Sequence, residues 1–134
     1  MTTTAQHLFN GLIAGLAAGL TLAPPAQAAE RLGAIPPVFR GLWMAEARHC
    51  TATQSDESWL RIEADRLSFY ESSGPVLAVA GEGPERIGVI IALSGEGSTW
   101  LYLGLLSLDP GGDRLRLVST GVEGEVLRVR CETH

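Results

Sequence analysis

Cys50 and Cys131 are the two thiols of the chain, and each stands near a histidine: His49 adjoins Cys50, and His134 follows Cys131-Glu132-Thr133. Two chemistries fit that set. Two thiolates and two imidazoles are a ligand set that zinc accepts in tetrahedral sites. Two cysteines in an exported chain are, more simply, a disulfide. Adjacent His and Cys residues chelate one ion poorly, and an oxidising compartment, argued below, favours the crosslink. The expectation is therefore a Cys50–Cys131 disulfide and no metal site.

A second group of residues suits binding rather than bond making. In Leu67-Ser68-Phe69-Tyr70-Glu71 a period-2 alternation puts Leu67, Phe69 and Glu71 on one face of a strand. If the first two point into a core, Glu71 follows them unless the strand has ended. Glu71 is then an inward polar anchor, with Phe69, Tyr70, Trp59 and Trp100 as aromatic surfaces for a small ligand. The alternative is an acid at the rim, paired with Arg66 or Arg86, because an unpaired buried Glu is rare. Catalytic constellations are not nominated. Beyond the N-terminal segment the imidazoles are His49 and His134, and no Gly-x-Ser-x-Gly elbow occurs. Ser94-Gly95-Glu96-Gly97-Ser98 lacks the Lys and the following helix of a phosphate loop and reads as a hairpin turn. The pairs Asp56/Glu57 and Glu63/Asp65 read as solvated surface acids. No enzyme and no cofactor is expected.

Elements must hold these residues in place, and the first does so only by leaving. Leu8 to Ala23 is apolar and rich in small residues, and Ala26-Gln27-Ala28 has the small-x-small form of a cleavage site. Residues 1–28 read as a signal peptide and 29–134 as one domain, periplasmic or secreted. The alternative, a retained membrane anchor, is opposed by Gly11, Gly15, Gly19, the short span and the Pro24-Pro25 break. All ten basic residues are Arg, spread among 15 acids, and the formal charge is -5. That balance gives no footprint for nucleic acid and none for anionic lipid once the signal is removed.

After a lead-in ending at Ile35-Pro36-Pro37, the rest reads as eight short strands joined by Gly-rich turns, with no helical period. Val38 to Glu46 is the first strand, and Arg48 to Glu57 is a polar loop. Leu60 to Ala64 and the Leu67–Glu71 stretch follow, then a Gly74-Pro75 break and Val76 to Ala80. Ile87 to Leu93 is a continuous apolar run suited to burial on both faces. Thr99 to Leu108, Leu115 to Leu117 and Leu127 to Cys131 complete the set. The fold class is all-β: a small antiparallel eight-stranded meander barrel, with a two-sheet sandwich as the alternative.

Gly41-Leu42-Trp43 resembles the Gly-x-Trp opening of lipocalins and related calycin barrels. That resemblance implies that Trp43 closes one barrel end, with Arg128 or Arg130 from the last strand packed across its ring. The chain is shorter than a lipocalin, so a large ligand cavity is not implied. Ile35-Pro36-Pro37-Val38-Phe39-Arg40-Gly41-Leu42-Trp43, then Cys50, then Leu67-Ser68-Phe69-Tyr70-Glu71-Ser72 with Gly74, also resembles a family of small exported proteobacterial proteins. It implies export and a shared fold and supplies no mechanism. The functional expectation is a non-enzymatic barrel that binds a small or lipidic ligand, or a protein partner. The alternative is a periplasmic inhibitor of a hydrolase, a lysozyme or a protease, acting through the turns at Ser94–Ser98 or Asp109–Asp113.

Overall fold

The computed structural model describes residue 19 and residues 22–26, 28–51 and 55–132. The expected signal peptide and His134 lie largely or wholly outside that set. Among the described residues there are nine strands: β1 (Glu30–Leu32), β2 (Gly41–Met44), β3 (Leu60–Ile62), β4 (Arg66–Phe69), β5 (Ser73–Gly81), β6 (Arg86–Gly95), β7 (Ser98–Leu108), β8 (Arg114–Ser119) and β9 (Val126–Arg130). β2 to β9 form an antiparallel meander in which β9 pairs back onto β2, so the eight strands close into a barrel. Closure removes the unpaired edges that an open sheet would present. β1 lies outside the closed ring. It pairs with Val79–Gly81 of β5, on the edge that β4 occupies nearer the start of that strand.

The barrel interior is apolar and filled. Ile62, Leu67, Ile91, Leu106 and Leu115 are fully buried, and among the described residues no polar or charged one is fully buried. One end is plugged. Pro36 and Pro37 bar an extended ladder, and Pro37–Phe39 forms a single 3-10 turn that drops Phe39 into the core. Trp43 Nε1 donates to the Phe39 carbonyl at 2.9 Å, and Ile35 is anchored by its N–H to Ala64 O at 2.9 Å.

Arg130 seals this end. Its guanidinium carbon lies 4.2 Å from the Trp43 ring centroid. Its Nε donates to Gly112 O at 3.1 Å, Nη1 to Arg40 O at 2.8 Å, and Nη2 to Val38 O. Gly41 makes room for this arrangement. Its φ of 129° favours glycine, and a Cβ there would stand 3.4 Å from Arg130 Nη1. The Trp43–Arg contact implied by the calycin resemblance is thus present, and Arg130 rather than Arg128 makes it.

Several local expectations give way to tertiary contacts. The segment Val38–Glu46 is a 3-10 turn followed by a shorter strand, because the proline pair sets its entry. Within the polar loop, Ala47–Thr51 coils into a second 3-10 turn against the outside of the barrel. Gly74-Pro75 does not separate two strands but lies inside β5. A Cβ at Gly74 would overlap the Ala92 carbonyl oxygen, so glycine is what lets β5 approach β6 so closely. β6 is buried on one face only: Ile87, Val89, Ile91 and Leu93 point inward, while Ile90 is on the outer side.

The disulfide Cys50–Cys131 is formed, with Cα atoms 5.4 Å apart. It fastens the second 3-10 turn onto the outer face of the β2–β9 seam. Met44, Trp59 and Cys131 make a small second core there, with Leu42 and Cys50 against them. That seam is the shortest contact in the ring. It has two register pairs, Trp43↔Arg130 and Met44↔Val129, where β6–β7 runs unbroken from Arg86↔Ser107 to Gly95↔Ser98.

Candidate functional site

Opposite the plugged end the barrel opens into a cleft of about 580 Å³. Leu60, Leu93 and Leu117 form its buried floor, and Phe69, Trp100 and Tyr102 form aromatic walls. The β8–β9 turn around Gly121 and Val122 overhangs one side. β7 supplies two of the aromatics because its even-numbered residues point inward: Tyr102, Leu106 and Leu108 are buried on that face. Trp100 shares the parity but stands at the mouth and is 43% exposed.

Tyr102 lies over Gly104, where a Cβ would come within 2.7 Å of its ring carbon Cε1. It packs on Phe69 with centroids 5.3 Å apart and planes tilted by 55°. Burial pushes the phenol above its usual titration range, opposed by a hydrogen bond with Ser119 and by the charge of Arg128.

Arg128 is the charged group of the cleft. β9 places Val126, Arg128 and Arg130 on one parity, and both arginines turn toward the interior side, one at each end of the barrel. The backbone holds Arg128 in position: Nε donates to Ser58 O at 3.0 Å and Nη1 to Leu127 O at 3.0 Å. Burial lowers its pKa, while the charges of Asp56 and Tyr102 act the other way. Among the described residues it makes no ion pair. A half-buried guanidinium, fixed by carbonyls and lacking a bonded carboxylate, has the chemistry to donate to an anionic or acceptor group.

The candidate binding residues divide. Phe69 and Trp100 meet in the cleft. Glu71 does not enter it: β4 ends at Phe69, and Glu71 is exposed in the turn that follows. The turn sits tightly on the β6 end, where a Cβ at Gly95 would overlap the Glu71 carbonyl oxygen. The rim pairs imagined for Glu71 are taken elsewhere, since Arg66 donates to Ser73 Oγ and Arg86 pairs with Glu82. Tyr70 is in the same turn, half-buried, and does not line the cleft. Trp59 belongs to the outer core beside the disulfide, with the Arg61 guanidinium 5.8 Å from its ring centroid. Tyr102 and the role of Arg128 were not picked out in the sequence. Their signal was the shared parity of Trp100 with Tyr102 and of Arg128 with Arg130.

Both thiols are consumed by the crosslink, and His49 Nδ1 stands 3.4 Å from Asp56 Oδ2 without a hydrogen bond among the described residues. Asp56 itself bonds the Ser58 hydroxyl and N–H, which lower its pKa. No described group of three or more His, Cys, Asp or Glu residues is arranged for a metal, and no described helix is long and apolar enough to cross a membrane. Comparison with protein-family models, curated proteins and solved structures finds no match for this chain.

Proposed function

We propose that this protein is a non-enzymatic binding module of the periplasm or the extracellular space, which takes a small aromatic or amphipathic molecule with an anionic end into the open barrel mouth. The observation that carries this reading is Arg128, fixed and half-buried in the lining of a cleft walled by Phe69, Trp100 and Tyr102. The filled interior argues against swallowing a long lipid tail, because below Leu60 and Leu117 the core is closed. A ring laid against Trp100, with its charged end on Arg128, fits the space that remains. The disulfide supports export.

Native mass spectrometry of the protein purified from its own exported fraction tests for a resident ligand. Titration with anilinonaphthalene sulfonate, an anionic aromatic probe, tests the site by Trp fluorescence. The expectation is saturable binding weakened about tenfold or more in Arg128→Gln and in Trp100→Ala. Equal binding by wild type and Arg128→Gln, with both folded, rejects the assignment.

A partner protein is the second reading, and the β6–β7 hairpin favours it. Residues 96–100 are all exposed, and Glu96 and Gly97, with φ of 48° and 79°, make a tight turn that projects beside the mouth. The other candidate loop is committed to the fold. Asp109 Oδ1 accepts from the N–H groups of Asp113 and Arg114, and Gly112 O is held by Arg130. An inhibitor would therefore act through Ser94–Ser98. Assay against a basic lysozyme, with Glu96→Arg as the control, checks it.

A further inference from the structure

The outward side of β5 to β8 is apolar over four adjacent strands. Leu101, Leu103 and Leu105 of β7 are 59%, 46% and 55% exposed, and Ile90 and Val118 beside them are also exposed. The leucine alternation of β7 therefore faces away from the barrel core. In register, one row across the sheet reads Ala80, Gly88, Leu105, Val118, and the next reads Ala78, Ile90, Leu103 and, past the end of β8, Thr120. The surface is low over β5 and the near part of β6, where the residues are Ala and Gly, and high over β7 and β8. The step forms a shallow groove of about 720 Å³ whose rim includes Arg31. Exposed charges border the face: Arg31 at the groove's rim, Arg86 at the start of β6, and Arg114 and Arg116 at the start of β8.

We infer that this face is the interface of a two-fold homodimer. A two-fold axis brings one surface onto itself, so an isologous interface needs a patch that contains both a projection and its recess. This patch does: the Leu103–Leu105 ridge of one copy fits over the Ala78, Ala80 and Gly88 floor of the other. The exposed large side chains supply on the order of 400–500 Å². That is within the roughly 300–600 Å² of the largest apolar patch on a typical monomer, and more than half of the roughly 800 Å² per partner in a standard interface. The small residues of the floor and the hydroxyl residues at its ends supply more. The face meets the barrel mouth at Ser119 and Thr120, which line both the groove and the cleft.

The test is sedimentation velocity on the oxidised protein, expressed from the full sequence and purified, across about 1–200 µM. The expected result is twice the monomer mass, dissociating on dilution. Leu103→Glu sets like charges close to the axis and is expected to raise the dissociation constant about thirtyfold or more. Gly88→Val fills the floor from outside the core. The first added carbon would be 3.5 Å from Leu105 Cδ2, an ordinary contact, so this variant keeps the fold even if the first does not. It is expected to weaken the dimer about tenfold. Near-UV circular dichroism confirms that each variant is folded. A wild type monomeric at the highest concentration, or a dimer indifferent to both folded variants, overturns the proposal. A monomer that floats with phosphatidylglycerol vesicles also overturns it and gives the face to lipid.

Discussion

Reducing the Cys50–Cys131 bond is the most quantitative perturbation of this fold. The cysteines are 81 positions apart, so in the unfolded chain the bond closes most of the domain into one loop. Chain entropy puts the stabilisation from a loop of that size at about 4.5 kcal/mol at 25 °C. Whole-domain stabilities are roughly 5–15 kcal/mol, so the bond accounts for about a third or more of the total. With a urea slope of about 1.5 kcal/mol/M, the midpoint falls by about 3 M. The slope itself should rise on reduction, because an unfolded chain freed of its crosslink exposes more surface.

The assay is urea unfolding followed by tryptophan fluorescence, comparing oxidised protein with the same protein held reduced. Cys50→Ala/Cys131→Ala adds the loss of Cys131 packing against Met44 and Trp59, so it should be slightly less stable than the reduced wild type. A midpoint shift worth less than about 1 kcal/mol refutes the reasoning, because it means the unfolded chain already holds these positions together.

Four further outcomes are expected. Arg130→Ala removes three hydrogen bonds to carbonyls and the contact over Trp43, at a cost of about 3 kcal/mol. Arg130→Lys, which has no planar fork to bridge Gly112, Arg40 and Val38, recovers less than half of that in the same urea assay. Gly74→Ala places a carbon against the Ala92 carbonyl inside a paired strand and is expected to cost about 3 kcal/mol or to block folding, read by soluble yield and thermal midpoint. Tyr102 has a raised pKa in the folded state, so its contribution is complete below the ordinary phenol range and disappears as the pH rises through the folded value. Alkaline unfolding should move to higher pH in Tyr102→Phe, and an unchanged transition assigns it to other groups. Asp56 has a lowered pKa, so its bonds to Ser58 help above the usual Asp range and fade as pH falls through the folded value. Asp56→Asn should lower stability at neutral pH and flatten the acid side of the profile, so that the two proteins converge as pH falls.

The eight barrel strands were legible because their turns are written in Gly, Pro and Asp and their alternation is regular. Cys50–Cys131 and the Trp43–Arg contact were also legible, since each depends on the first and last barrel strands being neighbours. β1 was missed because Glu30–Leu32 has no alternation long enough to read, and only its register on Val79–Gly81 makes it a strand. Glu71 was misplaced by extending one period past the strand end at Phe69. Trp59 was grouped with the wrong aromatics because the sequence does not say that the Cys50 segment folds back outside the barrel.

The deeper limit concerns which face is inside. Alternation in β7 separates Leu101, Leu103 and Leu105 from Trp100, Tyr102 and Gly104, and alternation in β9 separates Leu127 and Val129 from Arg128 and Arg130. Hydrophobicity alone puts the leucines in the core, yet β7 and β9 turn their other faces inward. The barrel is narrow, and its two ends have different needs. At the plugged end Arg130 satisfies carbonyls and covers Trp43 at once, which no aliphatic residue does. Toward the mouth Tyr102 is buried with its hydroxyl near Ser119, and Arg128 is half-buried on backbone carbonyls. The displaced aliphatics then need other cover. Just past β9 the disulfide-bound segment buries Cys131, of the same parity, while Leu127 stays exposed. For β7 nothing within the described chain supplies such cover. In the dimer proposed above, the second copy buries Leu103 and Leu105, so the hydrophobic pattern of β7 is satisfied by the assembly rather than by the fold of one chain.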